Sequence, residues 1–172
     1  SDSSSPMFGP RTGNAPTTAN IGYGDGQGSQ RLKLDTGLEP VTLNIYNTGQ
    51  SEEDGIPAFL WKGVDALNVM NIQRGSAGIC FLPTEVATLP TLRIGFIENQ
   101  SADATVWVGS GATMTTIEQS GGILHLRANV TTLNMTNGVT NVTGTATGGT
   151  VSLKSVHGSQ PRINWNSSGT IT

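Results

Sequence analysis

The chain has 172 residues, a net charge of −3 and 12% charged residues, about half the usual share of roughly 25%. This composition excludes wholesale disorder, which goes with high net charge. With nine Lys plus Arg and no basic run, it also argues against a nucleic-acid partner. No apolar stretch approaches bilayer length, so no membrane partner is expected, and one cysteine, Cys80, excludes an internal disulfide framework.

Residues 1–30 read as an extended arm. Ser1 to Pro6, Gly9 to Pro16 and Gly22 to Gly28 are dense in Gly, Ser and Pro. Such segments cannot bury enough apolar surface to offset the entropy of ordering. Met7, Phe8, Ile21 and Tyr23 are spaced apolar anchors that a plain linker would lack. The arm is therefore expected to dock on a neighbouring subunit and to be dispensable for folding.

Residues 31–172 read as a single all-β domain. In its first part, 31–103, longer apolar segments alternate: Val41 to Tyr46, Leu67 to Ile72 and Leu92 to Ile97. Alternation puts every second residue on one face. An acidic loop, Ser51 to Pro57, lies between the first two, and no convincing amphipathic helix appears. In the second part, 104–172, short Thr-rich segments recur about every 8 to 11 residues, marked by Val106, Ile117, Leu124, Leu133, Val142, Val151, Ile163 and Ile171. Gly121-Gly122, Asn137-Gly138 and Gly148-Gly149 lie between them as turn pairs. Two architectures fit. A β-solenoid-like coil would stack rungs of about 18 to 20 residues, with Val106, Leu124, Val142 and Ile163 on one wall and Ile117, Leu133, Leu153 and Ile171 on another. A meander or β-sandwich would use the same spacing as hairpins. In either case Leu43, Ile45, Leu92, Ile94, Leu124, Leu126, Leu133 and Leu153 are expected to point into the core.

Little in the chain suggests catalysis. His125 and His157 lack companions at metal-ligand spacing, and Glu52, Glu53 and Asp54 lack the alternating oxygens of a calcium loop. The Gly-rich runs have no Gly-Lys-Ser/Thr ending. No catalytic residue, metal or cofactor is expected. Cys80, set among apolar residues, reads as an inert buried thiol. Trp61, Trp107 and Trp165 read as seals of a core end or a subunit interface.

An arm such as residues 1–30, low charge, and Thr/Gly/Asn-rich segments such as Thr131 to Thr150 together resemble bacteriophage virion structural proteins. The nearest types are capsid decoration (cement) proteins and small tail-fibre or spike modules. The resemblance spans the whole chain in composition and carries over no functional residue. It implies a non-enzymatic virion protein made in the host cytoplasm. It further implies a homo-oligomer, often a homotrimer, that binds the major capsid protein or another virion protein. Met7, Phe8, Ile21, Tyr23, Trp61, Trp107 and Trp165 would supply the partner contacts. The alternative is a carbohydrate- or receptor-binding module of a fibre, for which exposed tryptophans clustered on one face would speak.

Overall fold

A computed structural model describes residues 7–8, 17–22, 32–34, 41–49, 55–62, 67–154 and 159–171. Strands make up 64% of them and there is no helix among them. The strands are β1 (Met7–Phe8), β2 (Thr18–Ile21), β3 (Leu32–Leu34), β4 (Thr42–Ile45), β5 (Phe59–Trp61), β6 (Val69–Ile72) and β7 (Arg74–Ile79). They continue with β8 (Ala87–Ile94), β9 (Asp103–Val108), β10 (Ala112–Leu126), β11 (Asn129–Gly144), β12 (Gly148–Leu153) and β13 (Arg162–Ser167).

Every strand pair is parallel. β2, β4, β6 and β8 pair in that order, and so do β1, β3, β5, β7 and β9. Each strand therefore pairs with the one after next, and the chain visits two ladders in turn. β10 joins both: Ala112–Gln119 runs beside β8, and Ile123–Leu126 runs beside β9. β11 lies along both parts of β10, and then carries β12 on its first part and β13 on its second. The result is one parallel sheet curled into a half-barrel.

The all-β expectation holds, but neither detailed architecture holds in the form expected. A hairpin sandwich fails because no described pair is antiparallel. Gly121-Gly122 and Asn137-Gly138, expected as turns between segments, are bends within β10 and β11, where the register shifts and the strand crosses from one ladder to the other. Uniform rungs of about 18 to 20 residues fail too. Within 104–172 Val106 lies beside Leu124 and Leu133 beside Val151, as such rungs require, but Thr116 lies beside Thr132 and Thr140 beside Ile163, so the chain length per turn is not uniform. In the first part Thr42 beside Val69 and Arg74 beside Asp103 mark longer turns still. The strand lengths also reverse the expectation. Strands in 31–103 have three to eight residues, whereas β10 and β11 have 15 and 16.

The inward side chains stack in rows along the ladders. One row runs Leu43, Met70, Leu92, Ile117, Leu133, Val151. A second runs Trp61, Ile79, Val108, Leu126, Val142, Trp165. Strands about 4.8 Å apart bring each aliphatic group against those of both neighbours. All these rows belong to one core cluster, with Val151 and Trp165 packed at its margin. Seven of the eight expected core residues are buried. Leu153 is the correction, at 49% exposure. It sits beside Met135, on β12, where among the described residues no strand pairs on the other side and only Ile171 bridges to Gly148.

Residues 17–22, expected within a detachable arm, form the outer strand of the first ladder. Ala19 and Ile21 pack against the core, and β2 hydrogen-bonds along β4.

Candidate functional site

The outward rows of the first ladder are polar. One row runs Thr18, Thr42, Val69, Thr91, Thr116, Thr132, Thr150. The next runs Asn20, Asn44, Asn71, Arg93, Glu118, Asn134, Ser152. Alternation puts both rows on the solvent side of the same strands that bury the Leu43–Val151 row. In the second row, Asn44 Nδ2 donates to Asn20 Oδ1 at 2.9 Å and Asn71 Nδ2 to Asn44 Oδ1 at 2.8 Å. Each amide thus points its nitrogen at the preceding strand and its oxygen at the following one. The ladder stops at Asn71. Its residue is 8% exposed and its Oδ1 is buried without a partner. The next residue in the row, Arg93, turns the other way, and its Nε donates to Glu118 Oε2 at 2.6 Å.

Beyond Asn71 the row opens into a cleft of about 330 Å³, lined by Arg93, Glu118, Asn134, Ser120, Thr136 and Phe96, with Gly95 and Gln119 at its base. Phe96 is held edge-to-face by Tyr46, with ring centres 5.5 Å apart. Gln119 is buried at the β10 bend. Its amide donates to the carbonyls of Gly121, Gly122 and Val139 and accepts the Thr140 hydroxyl at 2.5 Å. Gln73 serves another bend, donating to Ser101 O and accepting Ile97 N–H. These two glutamines fix the cleft floor and the neighbouring corner by satisfying backbone groups that the bends release. Their polar character gave no sign of burial in the sequence.

The second ladder has a different outer row: Leu60, Gly78, Trp107, His125, Asn141, Asn164. Trp107 and His125 stack at 5.3 Å and 10°, and Phe81 meets Trp107 at nearly a right angle. Asn164 donates to Asn141 at 2.7 Å. Partial burial, and secondarily the Arg127 charge, lower the His125 pKa below its usual value. His125 faces outward, as alternation implied. Cys80 is buried, and desolvation with the Glu85 charge nearby pushes its thiol up to about 11, which suits an unreactive thiol.

The expected contact residues do not form one surface. Met7 and Phe8 form β1, but their side chains lie outside the described residues, as do all of Tyr23 and His157, and the acidic residues Glu52, Glu53 and Asp54. Ile21 is half-buried on the core. Trp61 is 1% exposed and lies on the β5 side of an inward row whose register continues to Leu34 of β3. Trp165 closes the other end of that row against Gly148, and its Nε1 donates to Gly169 O at 3.2 Å. Trp107 is the outward-facing member of the three. In the sequence Glu118 is one of several scattered carboxylates and Asn134 opens an Asn-x-Thr triplet; their meeting with Arg93 in one cleft is not legible there, because only the register puts the three side by side.

Among the described residues no group of three His, Cys, Asp or Glu side chains could hold a metal ion. The chain matches no protein-family model, no curated protein and no solved structure.

Proposed function

We propose that this chain is a structural virion protein of bacteriophage type, which binds a capsid or particle surface as a homo-oligomer and catalyses no reaction. The supporting observation is the margin formed by β12 and β13. Among the described residues β13 pairs only with β11, and β12 pairs beyond β11 only through the single bridge of Gly148 to Ile171, so that β13 and the rest of β12 present an open strand edge. The core is thin there: Leu153 and Ile171 are 49% and 51% exposed, and Ile163 and Trp165 are only partly covered. An open edge beside half-exposed apolar side chains favours pairing with another chain. Main-chain hydrogen bonds and modest apolar contacts, repeated over many copies, give firm attachment without charge.

The test is mass in solution by sedimentation, followed by cosedimentation with particles assembled without the chain. The expected result is a trimer that attaches to the particle, with Leu153→Glu and Ile171→Glu weakening both assembly and attachment while the melting temperature of the dissociated chain stays within a few degrees. A monomer at high concentration that leaves particles bare would overturn the reading.

A further inference from the structure

We propose that the cleft over Arg93, Glu118 and Asn134 is a binding site for a neutral oligosaccharide. The inference is independent of the virion reading and uses none of the three tryptophans.

The argument starts from uncommitted hydrogen-bonding capacity. Arg93 engages Glu118 through Nε and Oε2. The two terminal guanidinium nitrogens, the second carboxylate oxygen and the Asn134 amide make no hydrogen bond with any described residue. These groups stand side by side in one row, since Arg93 is registered with Glu118 and Glu118 with Asn134. Together they offer planar donors, planar acceptors and an amide that does both. Vicinal hydroxyls of a sugar ring are matched by such planar, two-pronged groups. Phe96, steadied by Tyr46, also lines the cleft and offers an apolar surface for the C–H face of a ring. The volume lies in the range of about 300–1,000 Å³ typical of small-ligand clefts.

Charge selects among ligand classes. The cation lining the cleft is already paired at 2.6 Å with a carboxylate, and both side chains are nearly half exposed, at 42% and 46%. A phosphate or sulfate would meet the Glu118 carboxylate beside the arginine. A purely apolar ligand would strand the amide and the carboxylate. A neutral polyol satisfies every group at once.

Asn71 gives a second, separate sign. Its amide is more than nine-tenths buried, and its orphaned oxygen faces the strand that carries Arg93. A buried acceptor without a donor is uncommon in folded chains and calls for one. A ligand that drew the Arg93 guanidinium toward this oxygen would complete the ladder that now ends there. The row spacing of about 4.8 Å is also comparable to one pyranose unit, so a linear chain laid across the strands would meet successive polar residues in step.

The experiment is a glycan array covering neutral and sulfated oligosaccharides, followed by calorimetric titration of the full chain with the neutral probes that score. At least one neutral oligosaccharide should bind with a dissociation constant at or below the order of 1 mM, with little dependence on salt. Asn134→Ala and Phe96→Ala should each weaken it by about tenfold or more. Asn164→Ala, on the other ladder, should leave it unchanged. Glu118→Gln should weaken neutral binding and turn the site toward sulfated probes, because it frees the Arg93 charge. Melting temperatures of all variants separate lost binding from lost fold. Absence of any neutral binder at several times that concentration, binding confined to sulfated probes, or full affinity in a folded Asn134→Ala variant would overturn the proposal.

Discussion

The two halves of the sheet turn their corners by different means. From β2 to β9, each strand belongs to a single ladder, and the chain leaves it between strands. In β10 and β11 a single strand serves both ladders and bends in place. The first solution tolerates variable length, as the unequal spacing of Thr42 from Val69 and Arg74 from Asp103 shows. The second allows none. At the β10 bend Gly122 has φ +67°, and a Cβ there would sit 2.5 Å from the Ala104 carbonyl; at the β11 bend Gly138 has φ +89° and faces Gly121 at 2.7 Å. The bends are stacked on one another, so glycine is required by both conformation and contact.

The largest expected effect tests this contrast. Gly122→Val combines a left-handed backbone with a clash against main chain, and should cost more than about 3 kcal/mol or prevent folding. Gly55 has a similar φ of +75° but open space around it, so Gly55→Ala should cost only about 1–2 kcal/mol. Chemical denaturation of both variants gives the comparison directly. Equal costs would mean that the bends are not close-packed.

Next in size is the contrast between the middle of the coil and its margin. Leu133→Ala, in a row covered on both sides, should lose about 2–5 kcal/mol. Leu153→Ala, on the uncovered β12, should lose under about 1 kcal/mol in the dissociated chain. Denaturation midpoints at low protein concentration decide this.

Gln119 and Gln73 compare the two kinds of corner. Gln119→Ala would leave the Thr140 hydroxyl and up to three carbonyls short of partners inside the bend, at a cost of about 2–3 kcal/mol. Gln73→Ala releases one carbonyl and one N–H near a loop that water can enter, and should cost about 1 kcal/mol. The same unfolding curves measure both.

The smallest effect is a pH dependence on the second ladder. His125 has a folded pKa below 6.5, chiefly from burial and then from Arg127. Between that lowered value and 6.5 the unfolded chain binds the proton more readily than the folded one. His125 therefore favours folding fully above pH 6.5, and this contribution is lost as pH falls through the window below it. Melting temperatures of the natural chain should fall more between neutral and mildly acid pH than those of His125→Gln. Parallel curves for the two would remove His125 as the cause.

The rhythm of apolar residues made the strands legible, together with most core positions: Leu43, Ile45, Leu92, Ile94, Leu124, Leu126 and Leu133 are all buried. Val106 beside Leu124 and Ile117 beside Leu133 are registered as the spacing suggested, whereas Val142 lies beside Leu126, Ile163 beside Thr140 and Leu153 beside Met135. Pairing direction was not legible, because Gly-Gly and Asn-Gly serve a hairpin turn and an in-strand bend equally well. β7, Arg-Gly-Ser-Ala-Gly-Ile, is not legible in the sequence, since its small residues carry no apolar signal. Ser76 and Ala77 are nevertheless fully buried, and Gly78 is overlain by Leu60, Phe81 and Pro57. Leu153 alternates correctly and faces the core side, but only the sheet order shows that nothing described covers it. The cleft joins residues 25 and 16 positions apart, Arg93 to Glu118 and Glu118 to Asn134. Such a site exists only once the register is known.

The central claim is the parallel register that aligns the outer row from Thr42 to Thr150. Distances between spin labels placed in pairs test it most directly, with Thr150 as the fixed site and Thr91, Val69 and Thr42 as the second site in turn. The parallel coil predicts separations that grow in that order, by up to about 4.8 Å per strand, each with a single narrow distribution. Separations that fail to increase, or that shorten between Val69 and Thr42, would contradict it.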